Sequence, residues 1–166
     1  LNRPLKERAA GIEVVKRLLT RGSEAGYSFY FLGGRPGVAR RAKSKVRDSY
    51  PGLEITTHHG YLDAEEDKQV RREIKSSSID ILLVGTGSPR QEKWLAEHLD
   101  GLGVGVGMGV GGSFDVLAGR KSRAPRLVQS IGLEWLYRLI QEPARWRRMK
   151  SLACFLLAVG RAKLFK

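Results

Sequence analysis

Short apolar runs alternating with amphipathic helical stretches predict an α/β fold: a Rossmann-like layered, mainly parallel sheet with a C-terminal helical appendage. Three observations carry this. Tyr27–Leu32, Leu53–Thr57 and Ile79–Val84 are too short for helices and rich in β-branched and aromatic residues. Helical stretches of about a dozen residues separate them, and a crossover of that length joins parallel neighbours. Beyond Phe114 the chain turns strongly basic, with helical rather than strand periodicity.

The elements follow in order. Ile12–Ala25 places apolar residues at Ile12, Val15, Leu18 and Leu19, a helical period. Tyr27–Leu32 is a buried strand ended by Gly33-Gly-Arg-Pro-Gly37, and Val38–Tyr50 is a basic amphipathic helix stopped by Pro51-Gly52. Leu53–Thr57 is the second strand, Asp63–Ser77 a charged helix, and Ile79–Val84 the third strand. A helix over Ser88–Leu99 follows, and Val104–Val110 is a fourth strand thinned by alternating glycines. Leu127–Gln141 is again helical, Pro143 breaks it, and Ala144–Phe165 makes the last helix. The domain expectation is a core over residues 1–126 and an appendage over 127–166.

Charge sharpens that division. The 166 residues carry a formal charge of +13, but residues 1–119 hold 18 Lys and Arg against 15 Asp and Glu. Residues 120–166 hold 12 against 2, so the basicity belongs to the tail and calls for an anionic partner. Cys154 is the one cysteine, which excludes an intramolecular disulfide and a cysteine-based metal cluster and fits a reducing compartment. No apolar run reaches the roughly 18 residues that span a bilayer, and no signal peptide is visible. The opening Leu1-Asn-Arg-Pro-Leu-Lys-Glu-Arg8 reads as the interior of something longer.

Gly85-Thr-Gly-Ser-Pro-Arg-Gln-Glu-Lys-Trp94 is the most informative stretch. A strand runs into a glycine turn and then a helix, with Ser88 expected as N-cap and Pro89 at the first helical position. Such a junction aims backbone N–H groups and a positive dipole end at an anion, and Arg90 and Gln91 add a charge and an amide.

The glycine run Gly107–Gly112 matches a dinucleotide fingerprint formally, but its glycines alternate within the strand itself. Close approach of a helix or a ligand is the better explanation. Asp115, past the end of that strand, reads equally as a hydrogen-bond acceptor for a ribose diol or uracil N–H and, with Ser113, as a helix N-cap. Tyr61 reads equally as a base-stacking aromatic and a capping core tyrosine. His58-His59 looks like a metal pair, but neighbours on a strand point to opposite faces and no further ligand completes a site. Arg138, Arg145 and Arg148 share a helical face if Pro143 kinks the helix only modestly, a row that suits a diphosphate. The apolar Leu152–Val159 after it, flanked by further basic residues, fits an anionic membrane surface better than nucleic acid.

Several blocks together resemble the WecG/TagA/CpsF glycosyltransferases of bacterial cell-surface polymer synthesis. They are Pro4-Leu-Lys-Glu-Arg8 with Gly11-Ile12, Phe31-Leu-Gly-Gly34 with Pro36-Gly37, Tyr50-Pro-Gly52 and His58-His-Gly-Tyr61. They continue through Gly85–Trp94, Val110-Gly-Gly-Ser-Phe-Asp-Val116, Arg123-Ala-Pro125 and Gly132-Leu-Glu-Trp-Leu-Tyr-Arg138 with Glu142-Pro143. The resemblance spans nearly the whole chain.

It implies an inverting transfer of an N-acetylmannosamine-type sugar from a UDP donor to undecaprenyl-diphosphate-linked N-acetylglucosamine, with no metal or cofactor. The setting implied is the inner face of the bacterial cell membrane, in teichoic acid or common-antigen-like synthesis, with the protein cytoplasmic and peripheral. The core would hold the nucleotide sugar; the appendage would dock on the membrane and close the active site. The resemblance assigns Arg8 and Gln91, beside the Gly85 and Gly87 turn, to the donor sugar and diphosphate. It assigns Tyr61 and Asp115 to uridine, and Arg138, Arg145 and Arg148 to the appendage that engages diphosphate. The rival is a non-catalytic nucleotide- or RNA-binding α/β module with a basic tail.

One departure weighs against the matches. The family's Thr-Ala-Asn segment and its Pro-Asp-Gly motif, whose aspartate is the proposed general base, occur nowhere in this sequence. No catalytic residue is assigned, and the expectation is a C-terminal portion that is inactive alone.

Overall fold

The computed structural model describes residues 10–120, 125, 128 and 134–141. The chain divides into two units, Leu1–Ser122 and Arg123–Lys166. In the first, α1 (Gly11–Ala25), β1 (Phe29–Gly33), α2 (Val38–Ser49), β2 (Ile55–His58) and α3 (Ala64–Ser76) come first. They are followed by β3 (Ile81–Gly85), α4 (Arg90–Leu102), β4 (Val106–Gly109) and the short α5 (Ser113–Leu117). The second unit contributes α6 (Glu134–Gln141), within the expected helix Leu127–Gln141. The expected helix Ala144–Phe165 lies outside the described residues.

The four strands form one sheet in the order β2-β1-β3-β4, and every adjacent pair is parallel. The mixed α/β fold and its parallel, Rossmann-like layering therefore match the expectation. Both faces of the sheet are covered, which is why its central strands read as continuous apolar runs rather than alternating ones. Phe29, Phe31, Ile81 and Leu83 point to the layer of α1, α2 and α5, where they meet Val15, Leu19, Val38, Ala42 and Phe114. Tyr30, Leu32, Leu82 and Val84 point to α3 and α4, against Val70, Ile74 and Leu102. The period of two splits each strand between two cores.

Local chemistry sets the boundaries. Gly26, in the left-handed region at φ 74°, ends α1. Asp63 caps α3 in a reciprocal box with Glu66, its Oδ1 accepting the Glu65 and Glu66 N–H groups. The glycines of β4 are explained by α4. A Cβ on Gly107 would lie 2.6 Å from Leu99 Cδ1, and one on Gly109 would lie 2.7 Å from Gln91 Nε2. Helix α4 packs down onto a strand stripped of side chains, as the alternating glycines suggested.

At the amino end of the sheet, Asp80 and Ser28 lock β1 to β3. Asp80 Oδ2 accepts the Ser28 N–H at 2.8 Å and the Ser28 hydroxyl at 2.9 Å. Those bonds hold the Asp80 carboxyl below its ordinary value. On the α3 side, buried Tyr30 donates its hydroxyl to Glu73 Oε2 at 2.6 Å. Burial, reinforced by that carboxylate, pushes the Tyr30 phenol far up.

Candidate functional site

The strand order reverses between β1 and β3, since the chain runs outward from β1 to β2 and then crosses back over β1 to β3 and β4. Open α/β sheets take their ligands in the crevice at such a switch point, outside the carboxyl ends of the strands. Here those ends are Gly33 and Gly85, which stand in register. A Cβ on Gly33 would come within 2.6 Å of the Gly85 backbone, so the two strand ends meet main chain on main chain.

Four turns are stitched together over this crevice. The Gly34 N–H donates to Gly85 O at 3.1 Å, and the Gly60 N–H donates to Gly34 O at 2.9 Å. On the other side the Val110 N–H donates to Val84 O at 2.8 Å. Gly111 N–H donates to Gln91 Oε1 at 2.9 Å. The turns after β2, β1, β3 and β4 thus form one continuous floor, most of it backbone and glycine. Arg35 and Arg90 are exposed on it, and so is Glu92.

The start of α4 differs from the sequence expectation. Pro89 is the N-cap, Arg90 is the first helical residue, and no side chain caps the helix. The Gly87 carbonyl accepts the Gln91 N–H at 3.0 Å. That amide is one of the donors a Ser88 cap would have taken, so the backbone has already closed the turn. The Ser88–Pro89 peptide is cis.

Gln91 is buried at 6 % exposure, with Oε1 on Gly111 and Nε2 donating to Glu92 Oε1 at 2.9 Å. Its carboxamide spans the turns after β3 and β4 rather than standing free in the crevice. Asp115 lies in the first turn of α5, beyond the carboxyl end of β4. Neither Asp115 nor Ser113 caps that helix: Gly112 is the N-cap, and the Ser113 hydroxyl turns back to Val110 O at 2.7 Å. The cap reading of these two residues is therefore overturned, because the backbone enters α5 through Gly111-Gly112. Tyr61 is 62 % exposed just past β2, so it is no core tyrosine.

The expectation that His58 and His59 point to opposite faces also fails. Their rings lie 4.4 Å apart, and His58 Nδ1–H donates to the His59 carbonyl at 3.0 Å. Strand β2 ends at His58, so the alternation stops there and His59 belongs to the turn. Among the described residues no three His, Cys, Asp or Glu side chains are grouped to hold a metal ion.

The structure therefore brings Tyr61, Gly85, Gly87, Gln91 and Asp115 to one end of the sheet. Arg8, Arg145 and Arg148 lie outside the described residues, and Arg138 is placed only by its backbone in α6. Sequence reasoning did not read the contacts of three residues. Trp94 Nε1 donates to Asp67 Oδ1 at 2.6 Å, pinning α4 to α3. Thr86 and His59, both in the turns of the crevice, carry buried polar atoms with no hydrogen-bond partner among the described residues. The pattern Gly-Thr-Gly flagged the Thr86 turn but not its hydroxyl.

Two open grooves of about 580 Å³ and 550 Å³ lie elsewhere. One runs between α3 and α4 (Lys68, Arg71, Lys75, His98) and one between α2 and edge strand β2 (Arg40, Lys43, Arg47, Thr57). Neither is lined by the glycine turns. Among the described residues no helix is long and apolar enough to cross a membrane.

Comparison with known proteins bears on this site. Residues 1–166 match the profile described as the glycosyl transferase WecG/TagA/CpsF family. An N-acetylglucosaminyldiphosphoundecaprenol N-acetyl-beta-D-mannosaminyltransferase of Staphylococcus aureus (strain MW2) is 36 % identical over 163 residues, 98 % of this chain. The same-named proteins of strains NCTC 8325 / PS 47 and MRSA252 are 36 % and 35 % identical over the same length. The chain spans 64 % of the length of these curated relatives.

Proposed function

The chain belongs to the WecG/TagA/CpsF glycosyltransferase family, and from that premise we propose that its crevice binds a UDP-sugar. The transfer we propose moves an N-acetylmannosamine-type sugar to undecaprenyl-diphosphate-linked N-acetylglucosamine. The name that the relatives carry supports this choice of sugar and acceptor.

The observation that carries the reading is the glycine-lined switch crevice at the carboxyl ends of β1 and β3. A diphosphate needs close approach to main chain and preorganised positive charge, and Gly85–Gly87 with Arg90 offers both at the start of α4. In the transfer, the acceptor hydroxyl gives its proton to a general base and attacks the anomeric carbon as the bond to the UDP oxygen breaks. Attack from the opposite face inverts the centre, and UDP departs with the electron pair. Charge grows on the leaving diphosphate, so donors aimed there act more strongly in the transition state than in the ground state.

In this reading Tyr61 stacks on uracil and Asp115 accepts from the uridine. Gln91 acts by holding the Gly111 turn in place. Arg8, Arg138, Arg145 and Arg148 meet the diphosphate, the last three from an appendage that docks on the inner face of the membrane. The reaction needs no metal. None of these 166 residues matches the family's Pro-Asp-Gly aspartate, so the proposal is donor binding without turnover by these residues alone.

Titration calorimetry of UDP into the chain tests the reading. Saturable binding that survives EDTA and falls at least tenfold, about 1.4 kcal/mol, in Asp115→Asn and Tyr61→Ala is expected. No saturable binding by the parent chain sinks it.

A further inference from the structure

Thr86 Oγ1 and His59 Nδ1 are buried, and neither has a hydrogen-bond partner among the described residues. Buried polar groups nearly always find one, and an unpaired one destabilises the fold. The two residues sit in the turns after β3 and β2, on either side of the turn after β1. Gly60, next to His59, bridges them: a Cβ built there would lie 2.9 Å from Thr86 Cγ2 and 3.0 Å from Gly33 Cα. Both unpaired atoms therefore flank the switch crevice, where a parallel sheet takes its ligand.

We infer that Thr86 and His59 are ligand-reading residues of this crevice and that together they recognise a hydroxyl pair on a sugar ring. The inference rests on the UDP-sugar reading and names the part of the donor these residues read. Their chemistry selects it. An imidazole and a hydroxyl can each donate or accept, and a diol offers the matching donors and acceptors. A diphosphate offers acceptors only and carries charge, which suits Arg90 and the turn amides instead. The turn through Gly60 packs against the Thr86 methyl, close to both residues. One backbone bond, from the Gly60 N–H to Gly34 O at 2.9 Å, ties that turn to its neighbour, and exposed Tyr61 rides on it. A ligand entering the crevice displaces the turn, uncovers the two atoms and brings the Tyr61 ring with it.

The test titrates UDP and UDP-N-acetylmannosamine into the full chain and into Thr86→Val, Thr86→Ser, His59→Leu and His59→Asn. Thr86→Val is expected to bind at least tenfold more weakly, while its unliganded Tm rises by a few degrees because an unpaired hydroxyl is gone. Thr86→Ser restores binding. His59→Leu loses tenfold, and His59→Asn, whose amide stands near the Nδ1 position, regains most of it. An equal loss with both ligands assigns the ribose diol; a loss confined to the sugar nucleotide assigns the hexose. Binding by Thr86→Val and His59→Leu within twofold of a parent chain that does bind overturns the inference and leaves the donor reading standing. A lowered Tm of Thr86→Val with unchanged affinity gives the hydroxyl a structural role and overturns it too. A parent chain that binds neither ligand overturns the donor reading, and this inference with it.

Discussion

Gln91 Oε1 accepts the Gly111 N–H at 2.9 Å, and through that one bond the helix after β3 holds the turn that leads to Asp115. The carboxamide is buried, so the bond is shielded from competing water. Two pieces of the crevice that are 20 residues apart in sequence are in this way set by one side chain.

Gln91→Ala leaves the Gly111 amide without its partner and opens space beside Gly109. The expected cost is about 1–3 kcal/mol of stability, read from urea denaturation. Gln91→Glu keeps an acceptor for Gly111 but sets a carboxylate against Glu92, where Nε2 now donates at 2.9 Å. It should therefore also destabilise at neutral pH and recover on mild acidification. A stability equal to that of the parent chain in both variants would show that Gly111 does not depend on this bond.

The glycines of β4 give a second prediction. Gly107→Ala forces a Cβ to 2.6 Å from Leu99 Cδ1 and 3.0 Å from Leu95 Cδ2, an overpacked contact expected to cost about 1–3 kcal/mol. Leu99→Ala alone costs by leaving space over β4. Combined, the two should be markedly less destabilising than their sum, because each fills what the other empties. A double-mutant cycle by chemical denaturation reads this directly, and strict additivity would refute the contact.

Much of this was legible beforehand, and the reason differs from element to element. The two-sided burial of Phe29–Leu32 and Ile81–Val84 leaves uninterrupted apolar runs, which is why the parallel sheet could be read from sequence. The alternating glycines of β4 likewise pointed to close approach of a helix or a ligand, and α4 is what packs on them. Capping was misread, because Gly87 closes the start of α4 through its carbonyl and Gly112 takes the N-cap of α5 with no side-chain bond, and neither leaves a mark in composition. Tyr61, Gln91 and Asp115 could be singled out because they stand in or beside distinctive glycine turns. Their roles were harder: whether Gln91 faces a ligand or Gly111 depends on a contact across 20 residues that no local pattern encodes. The unpaired atoms of Thr86 and His59 escaped for the same reason, since such an atom is visible only once the possible partners have been placed.

The clamp between Ser28 and Asp80 makes stability pH-dependent. Its bonds hold the Asp80 carboxyl below its ordinary 3.8, so the folded state favours the ionised form more than the unfolded chain does. The stabilisation is complete above the unfolded value and is lost as pH falls through the lower, folded one. Asp80→Asn should therefore melt below the parent chain at pH 7, and the gap should close in acid. Ser28→Ala removes the hydroxyl bond to Asp80 Oδ2 at 2.9 Å, together with the Ser28 Oγ bonds to Ser78 O at 3.0 Å and from the Asp80 N–H at 3.1 Å. It keeps the Ser28 N–H on the carboxylate, so the part of its gap that closes in acid should be smaller and of the same sign. Thermal melts across pH 2 to 7 decide it. A gap that widens in acid would reverse the assignment.

The tail supplies the last prediction, argued from its sequence. Residues 120–166 carry 12 basic against 2 acidic side chains, and the apolar Leu152–Val159 stands among them. A solvated nucleic-acid arm has no use for such an apolar stretch, whereas an interfacial helix needs both features. Each Lys or Arg held near an anionic leaflet contributes about 1 kcal/mol, screened by salt. The chain should therefore float with vesicles containing phosphatidylglycerol and remain behind with pure phosphatidylcholine. Removing residues 144–166 should release it, and Arg145→Ala with Arg148→Ala should weaken flotation less than that removal does, since the apolar stretch stays. Raising the salt should loosen the double variant more readily than the parent chain. Tight binding of single-stranded RNA with a steep salt slope and no vesicle retention would move the tail to nucleic acid instead.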